Sequence, residues 1–163
     1  MNYLIIPLSL SAGFLSKTVD IIEDNKIKRY SFLSLILGIL YGALLSYSAS
    51  LSLNLSSFIL GVIFSLFLSK KIDAKGHYLA MFSFFVSIFI FGFGGINFAL
   101  LIVILLFSYL DELIDKKINF RFALDIACFV ISLILNDFDI FAFIIFYDLS
   151  YLLMSKIEKK YFV

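Results

Sequence analysis

Long apolar runs, broken at intervals by clusters of Lys, Arg, Asp and Glu, recur from one end of this chain to the other. Few folds accept that pattern. A helix needs about 20 residues, with a lower limit near 17, to cross roughly 30 Å of hydrocarbon. Charges and turn residues divide the chain into seven runs near that length: 2–19, 31–48, 52–69, 77–94, 97–114, 121–136 and 139–156, the sixth being the shortest. Backbone polar groups must be paired within lipid, so each run is expected to be a helix. Composition points the same way. Hydrophobic residues make up 63% of the chain and charged residues only 15%, against about 25% charged in soluble domains. A chain of 163 residues has too much surface to bury that excess in one core. The expectation is an all-α polytopic transmembrane bundle of about seven spans, one domain over residues 1–163, with the lipid bilayer rather than nucleic acid as its partner.

The thirteen basic residues give this bundle a direction. Lys17, Lys26, Lys28 and Arg29 follow the first run; Lys70, Lys71 and Lys75 the third; Lys116, Lys117 and Arg121 the fifth; Lys156, Lys159 and Lys160 the seventh. The remaining junctions carry none. Cytoplasmic loops collect Lys and Arg, so the N-terminus is expected outside and the C-terminus in the cytoplasm of a cell-membrane protein. Tyr30, Tyr78, Tyr109 and Tyr161 fall near the same interface, as aromatic belt residues do. No basic stretch precedes the first apolar run, so a cleavable signal peptide is not expected. The single Cys128 excludes an internal disulfide and reads as a small core residue.

Two stretches repeat. Phe14-Leu-Ser-Lys-Thr-Val-Asp20-Ile-Ile-Glu-Asp24-Asn-Lys-Ile27 precedes Arg29, and Phe107-Ser-Tyr-Leu-Asp111-Glu-Leu-Ile-Asp115-Lys-Lys-Ile118 precedes Arg121. The Asp pairs are 91 residues, or four runs, apart, and Ser69-Lys70-Lys71-Ile72 is echoed by Ser155-Lys156-Ile157. An even number of crossings leaves both copies in the same orientation. A parallel repeat is expected, with halves at about 10–72 and 103–157, and such repeats place their sites where the halves meet.

Residues four apart share a helix face, so Asp20 pairs with Asp24 and Asp111 with Asp115. Paired carboxylates repel unless a cation lies between them, and Mg²⁺ is commonly held by one or two carboxylates together with substrate phosphates. Arg29, Lys70, Lys71, Lys116, Lys117 and Arg121 lie at the same depth and suit the remaining phosphate charge. His77 opens the fourth run beside Gly76, as a phosphate donor, an acid–base group or an interfacial cap. Asp148, near the middle of the seventh run, costs on the order of 3 kcal/mol on insertion scales. Ionisable groups at such depth mark a site or pathway. Asp125 is a second intramembrane acid, and Asp137 and Asp139 read as a solvated outer turn.

These motifs resemble the UbiA superfamily of intramembrane prenyltransferases. Val19-Asp20-Ile-Ile-Glu-Asp24-Asn-Lys-Ile27 looks like the end of that family's first Asp motif. Phe67-Leu-Ser-Lys70-Lys71 with Gly76-His77 is similar to its basic segment, and Tyr109-Leu-Asp111-Glu-Leu-Ile-Asp115 looks like its second motif. The resemblance spans about residues 10–160. It implies Mg²⁺ at Asp20, Asp24, Asp111 and Asp115, catalysis at Asp111 and Asp115, and an isoprenyl diphosphate substrate. The chain departs from the family in length, in helix number and at Ser16-Lys17, where a base replaces an expected acid.

Three functions follow as expectations: a membrane-embedded transferase acting on an isoprenyl diphosphate, a small transporter or channel using Asp148 and Asp125, or a non-catalytic relative of the prenyltransferase fold. Depth separates them. An enzyme needs its polar groups gathered at the inner face, whereas a transporter needs them to continue outward, for which Ser46, Ser48, Ser50, Ser52, Ser56 and Ser57 are candidates.

Overall fold

The computed structural model describes residues 2–25, 30–72, 74–118 and 123–161, with the side chains of 115–118 and 159–161 left aside. Among the described residues seven helices form: α1 (Ile5–Asp24), α2 (Ser31–Ser50), α3 (Leu53–Leu68), α4 (Lys75–Phe91), α5 (Phe98–Ile118), α6 (Ala123–Leu135) and α7 (Asp139–Tyr161). There is no strand among the described residues. Helices α1, α5 and α7 run past their apolar stretches into the charged segments. Backbone hydrogen bonding propagates a helix whatever its side chains prefer as solvent. The D-x-x-x-D motifs therefore lie within helices, at the ends where the basic residues collect. Helix α4 stops at Phe91, three residues before the expected limit, where Gly92 turns to a φ of 82°.

Among the described residues, three helices are long and apolar enough to cross a membrane: α1, α2 and the first 20 residues of α7. Helices α3, α4 and α6 are apolar but only 16, 17 and 13 residues long. Helix α5 has 21 residues and carries Asp111, Glu112 and Asp115 toward its end. Much of the outer surface is apolar: Phe89 is 90% exposed, Ile134 76%, and Phe32, Phe82 and Phe98 are also exposed. An apolar surface of that extent is suited to lipid and a liability in water.

The helices pack mainly in pairs. Besides the extensive α1–α2 contact between chain neighbours, α1 lies along α7, α2 along α4 and α3 along α5. Each pair is parallel, because contacts rise in number together on both helices. Gly38 of α2 meets the Gly76 carbonyl of α4, and one turn on Gly42 meets that of Ala80. A Cβ at either glycine would collide with this backbone, so the small residues set the approach, as in membrane helix pairs generally. Gly13 of α1 likewise meets the Tyr147 carbonyl and Ser150 of α7, and Gly61 of α3 meets Leu101 and Ile104 of α5. Helices α3 and α7 touch across the centre through Phe58 and Phe143, with ring centroids 5.9 Å apart. Phe58, Phe84, Ile5, Leu55, Ile104 and Ile140 fill the core.

Opposite the basic ends, Asn54 donates to Asp137 at 2.8 Å and the Asn2 amide to Asp139 at 3.0 Å. The turn expected to be merely solvated thus ties the start of α7 to α3 and to the N-terminal segment.

Candidate functional site at the basic ends of the helices

Helices α1, α2, α4 and α7 bring four polar side chains into one hydrogen-bonded chain. Tyr41 sits ten residues into α2. Cα–Cβ bonds tilt toward a helix N-terminus, which aims its hydroxyl back toward the basic end. There it meets His77 Nδ1 at 2.5 Å. His77 stands in the first turn of α4, and the glycine contacts between α2 and α4 hold that turn against α2. Its Nε2 lies 2.6 Å from Asp20 Oδ1. Tyr151 of α7 donates to Asp20 Oδ2, also at 2.6 Å. Tyr41 is buried, whereas the His77 and Asp20 side chains keep 15% and 20% exposure. The chain therefore runs from inside the bundle to its basic end.

Beside it, Lys17 forms an ion pair with Glu158 at 3.0 Å and lies 5.3 Å from the Tyr151 ring centroid. Asn25 donates to Glu158 at 3.2 Å. Lys17 thus joins α1 to α7.

Asp111 has a different setting. Its Oδ1 accepts the Ala123 amide at 2.8 Å and its Oδ2 the Leu124 amide at 2.9 Å. These are otherwise unpaired donors at the start of α6, where a negative charge is favourable. Asp111 is 6% exposed and Glu112 4%. Glu112 pairs with Lys71 at 3.2 Å, tying the end of α3 to α5. Asp125, Asp148 and Asp111 all lie within electrostatic range of Cys128.

Other expected site residues separate from this picture. Asp24 is the last residue of α1. Lys70 is exposed just beyond α3. Asp115, Lys116 and Lys117 lie in the last turn of α5, their side chains outside the described residues, as are Arg29 and Arg121 altogether. One acid of each Asp pair is engaged by protein donors, Asp20 by His77 and Tyr151 and Asp111 by two backbone amides. Among the described residues, no group of three or more His, Cys, Asp or Glu is placed to hold a metal ion.

The motif reading passed over Tyr41, Tyr151, Glu158 and Glu112. A signal existed for the tyrosines. Tyr41 lies too far along its helix for an interfacial belt, and a buried tyrosine hydroxyl needs a partner.

The serines bear on the depth criterion. Ser9, Ser48, Ser57 and Ser150 are buried, and each donates to a carbonyl of its own helix, as packing serines do. Ser46, Ser65 and Ser132 are buried with no hydrogen-bond partner among the described residues. They stand on α2, α3 and α6.

Comparison with protein-family models, with curated proteins and with solved structures finds no match for this chain.

Proposed function

We propose that the chain is a seven-span membrane protein, N-terminus outside, that works as a membrane-embedded transferase on an isoprenyl diphosphate at the cytoplasmic face. The observation that carries this reading is the chain Tyr41–His77–Asp20–Tyr151 at the basic ends of four helices. An orienting carboxylate, an imidazole and a hydroxyl within hydrogen-bond reach are parts of acid–base catalysis. Lys17 beside them, and Lys70 and Lys75 at the neighbouring helix ends, supply positive charge for a diphosphate. The serines deeper in the bundle mostly close on their own backbones, which favours an enzyme at one face over a path through the membrane.

The packing supports a parallel repeat beneath this function. Shifting Gly13 by the 91 residues that separate the Asp pairs gives Ile104, and moving Tyr147 back by the 86 residues between Ser69 and Ser155 gives Gly61. Gly13 meets Tyr147, and Ile104 meets Gly61. The α1–α7 and α3–α5 contacts therefore fall in equivalent register with the glycine exchanged between partners. The ion pairs exchange as well: α1 supplies the base and α7 the acid in Lys17–Glu158, whereas α5 supplies the acid in Lys71–Glu112. Helices α3 and α7, in contact through Phe58 and Phe143, would face each other across the twofold axis.

Mg²⁺ would supply Lewis-acid stabilisation of a leaving diphosphate. Because Asp20 and Asp111 are engaged elsewhere, no step here is assigned to it.

The test is binding of geranylgeranyl diphosphate to protein in lipid nanodiscs, with and without Mg²⁺. The reading predicts saturable binding that weakens at least about tenfold in Lys17→Ala with Lys70→Ala. Absence of binding by the wild type, together with ion flux abolished by Asp148→Asn, would replace the enzyme with a transporter.

A further inference from the structure

The repeat proposed above matches α1 with α5, α2 with α6 and α3 with α7, and leaves α4 over. Its 91-residue shift carries Ser31, which opens α2, to within one residue of Ala123, which opens α6. Helix α2 packs along α4 through Gly38 and Gly42. The same shift carries those glycines to Phe129 and Leu133. Both are exposed, as are Ile126, Val130 and Ile134 beside them, although Phe129 also leans on Phe141 of α7. Ile126, Phe129, Val130 and Leu133 recur at spacings of three and four, so they share one side of the helix. Helix α6 packs chiefly against α5 and α7. Among the described residues, no helix stands against its outer face as α4 stands against α2. Length sets this face apart from other lipid-facing surfaces. With 13 residues, α6 is about 20 Å long against roughly 30 Å of hydrocarbon. A helix that short thins the bilayer wherever lipid touches it, and association with another helix relieves the mismatch.

We propose that this face binds the same face of a second copy of the chain, so that two α6 helices pair in parallel about an intermolecular twofold axis along the membrane normal. The interface rests on the seven-span repeat proposed above and is independent of the transferase. Three observations favour a second copy as the occupant. Rotation about the membrane normal keeps the basic ends of both copies on one side, and it leaves the two α6 helices parallel, as α2 and α4 are. The face carries five apolar side chains and no charge, so it complements itself, as an isologous contact requires. The partner helix is as short as α6, so the two share one thinned patch of bilayer instead of making two. Large side chains stand where the α2–α4 contact has glycines. The α6 pair is therefore wider and set by interlocking side chains, as in helix pairs with apolar residues at such spacings. A groove of about 270 Å³ between α5 and α6, lined in part by Leu100, Val103, Ile131 and Ile134, flanks the face and gives side chains of the second copy a place to enter.

Cysteine crosslinking in native membranes tests the interface. In a Cys128→Ser background, Ile126→Cys, Val130→Cys and Leu133→Cys should each form disulfide-linked dimers on oxidation, because a twofold axis brings identical positions together. Phe89→Cys on the exposed face of α4 and Leu153→Cys on that of α7 should not. Single-molecule bleaching of fluorescently tagged wild-type protein, diluted in the membrane before extraction into nanodiscs, should show two steps. Phe129→Ala with Leu133→Ala should weaken self-association about tenfold or more; the wild-type bleaching and the single cysteines decide the matter if that variant fails to fold. Single-step bleaching of the wild type, crosslinks at Phe89 or Leu153 in place of α6, or undiminished association in a folded double variant would overturn the interface. Protection of position 137 from an external thiol reagent would remove α6 from the spans and the interface with it. Labelling of 137 in a protein that stays single would keep the spans and reject the interface alone. Crosslinked dimers that bind no geranylgeranyl diphosphate would support the interface and reject the transferase.

Discussion

Asp20 and Asp111 occupy equivalent places in a repeated motif, yet one is held by side chains from two other helices and the other by the first amides of α6. This difference makes Asp111 a cap for α6 and Asp20 the centre of a side-chain network. Asp111→Ala should cost about 0.5–2 kcal/mol, the usual range for a lost helix cap, and Asp111→Asn only a few tenths. Thermal unfolding in detergent reads both; equal losses would argue that the carboxylate charge, not the cap, is what the position requires. Lys70 offers a second case. It holds a φ of 57° just after α3, and the Lys71 amide reaches back to the Leu66 carbonyl at 3.0 Å. That is the helix-ending turn that favours glycine. Lys70→Gly should raise stability by up to about 1 kcal/mol while weakening diphosphate binding if Lys70 serves it; unchanged or lower stability would show that the conformation costs nothing. Motif spacing made the Asp pairs legible because their spacing is local. The partners of Asp20 were not, since His77 and Tyr151 lie 57 and 131 residues away in sequence and only packing brings them together.

At the scale of the helix, small residues and charges set who packs with whom. Gly42→Ile would drive a branched side chain into the Ala80 backbone, at a cost of about 1–3 kcal/mol or more and with loss of the Tyr41–His77 contact. Thermal stability and the ¹⁵N spectrum of His77, the chain's single histidine, should change together; a stable variant with an unaltered ring signal would contradict the α2–α4 register. The Lys17–Glu158 pair gives a charge-swap test. Lys17→Glu and Glu158→Lys should each destabilise the protein, and the double variant should recover most of the loss, as coupled neighbours do. Helix number and approximate position were readable from hydrophobic run length alone. Helix ends were less so: α1, α5 and α7 continue into charged sequence, where hydropathy falls but backbone pairing persists. The pairing of α2 with α4 was hidden because glycine and alanine spacing signals close approach without naming the partner.

For the whole molecule, the central claim is that all seven helices cross the bilayer with the four basic regions on one side. Three helices carry it by length and composition, and α6, about 20 Å long at 1.5 Å per residue, bears on it hardest. Short spans are accommodated when the bilayer thins or flanking residues reach out of it. Cysteine scanning in a Cys128→Ser background tests the claim directly, using a membrane-impermeant thiol reagent on intact cells. The account predicts labelling at positions 51, 95 and 137, and protection at 30, 74 and 120 until the membrane is opened. Labelling of position 120 from outside, or protection of 137, would remove α6 from the set of spans and contradict the account.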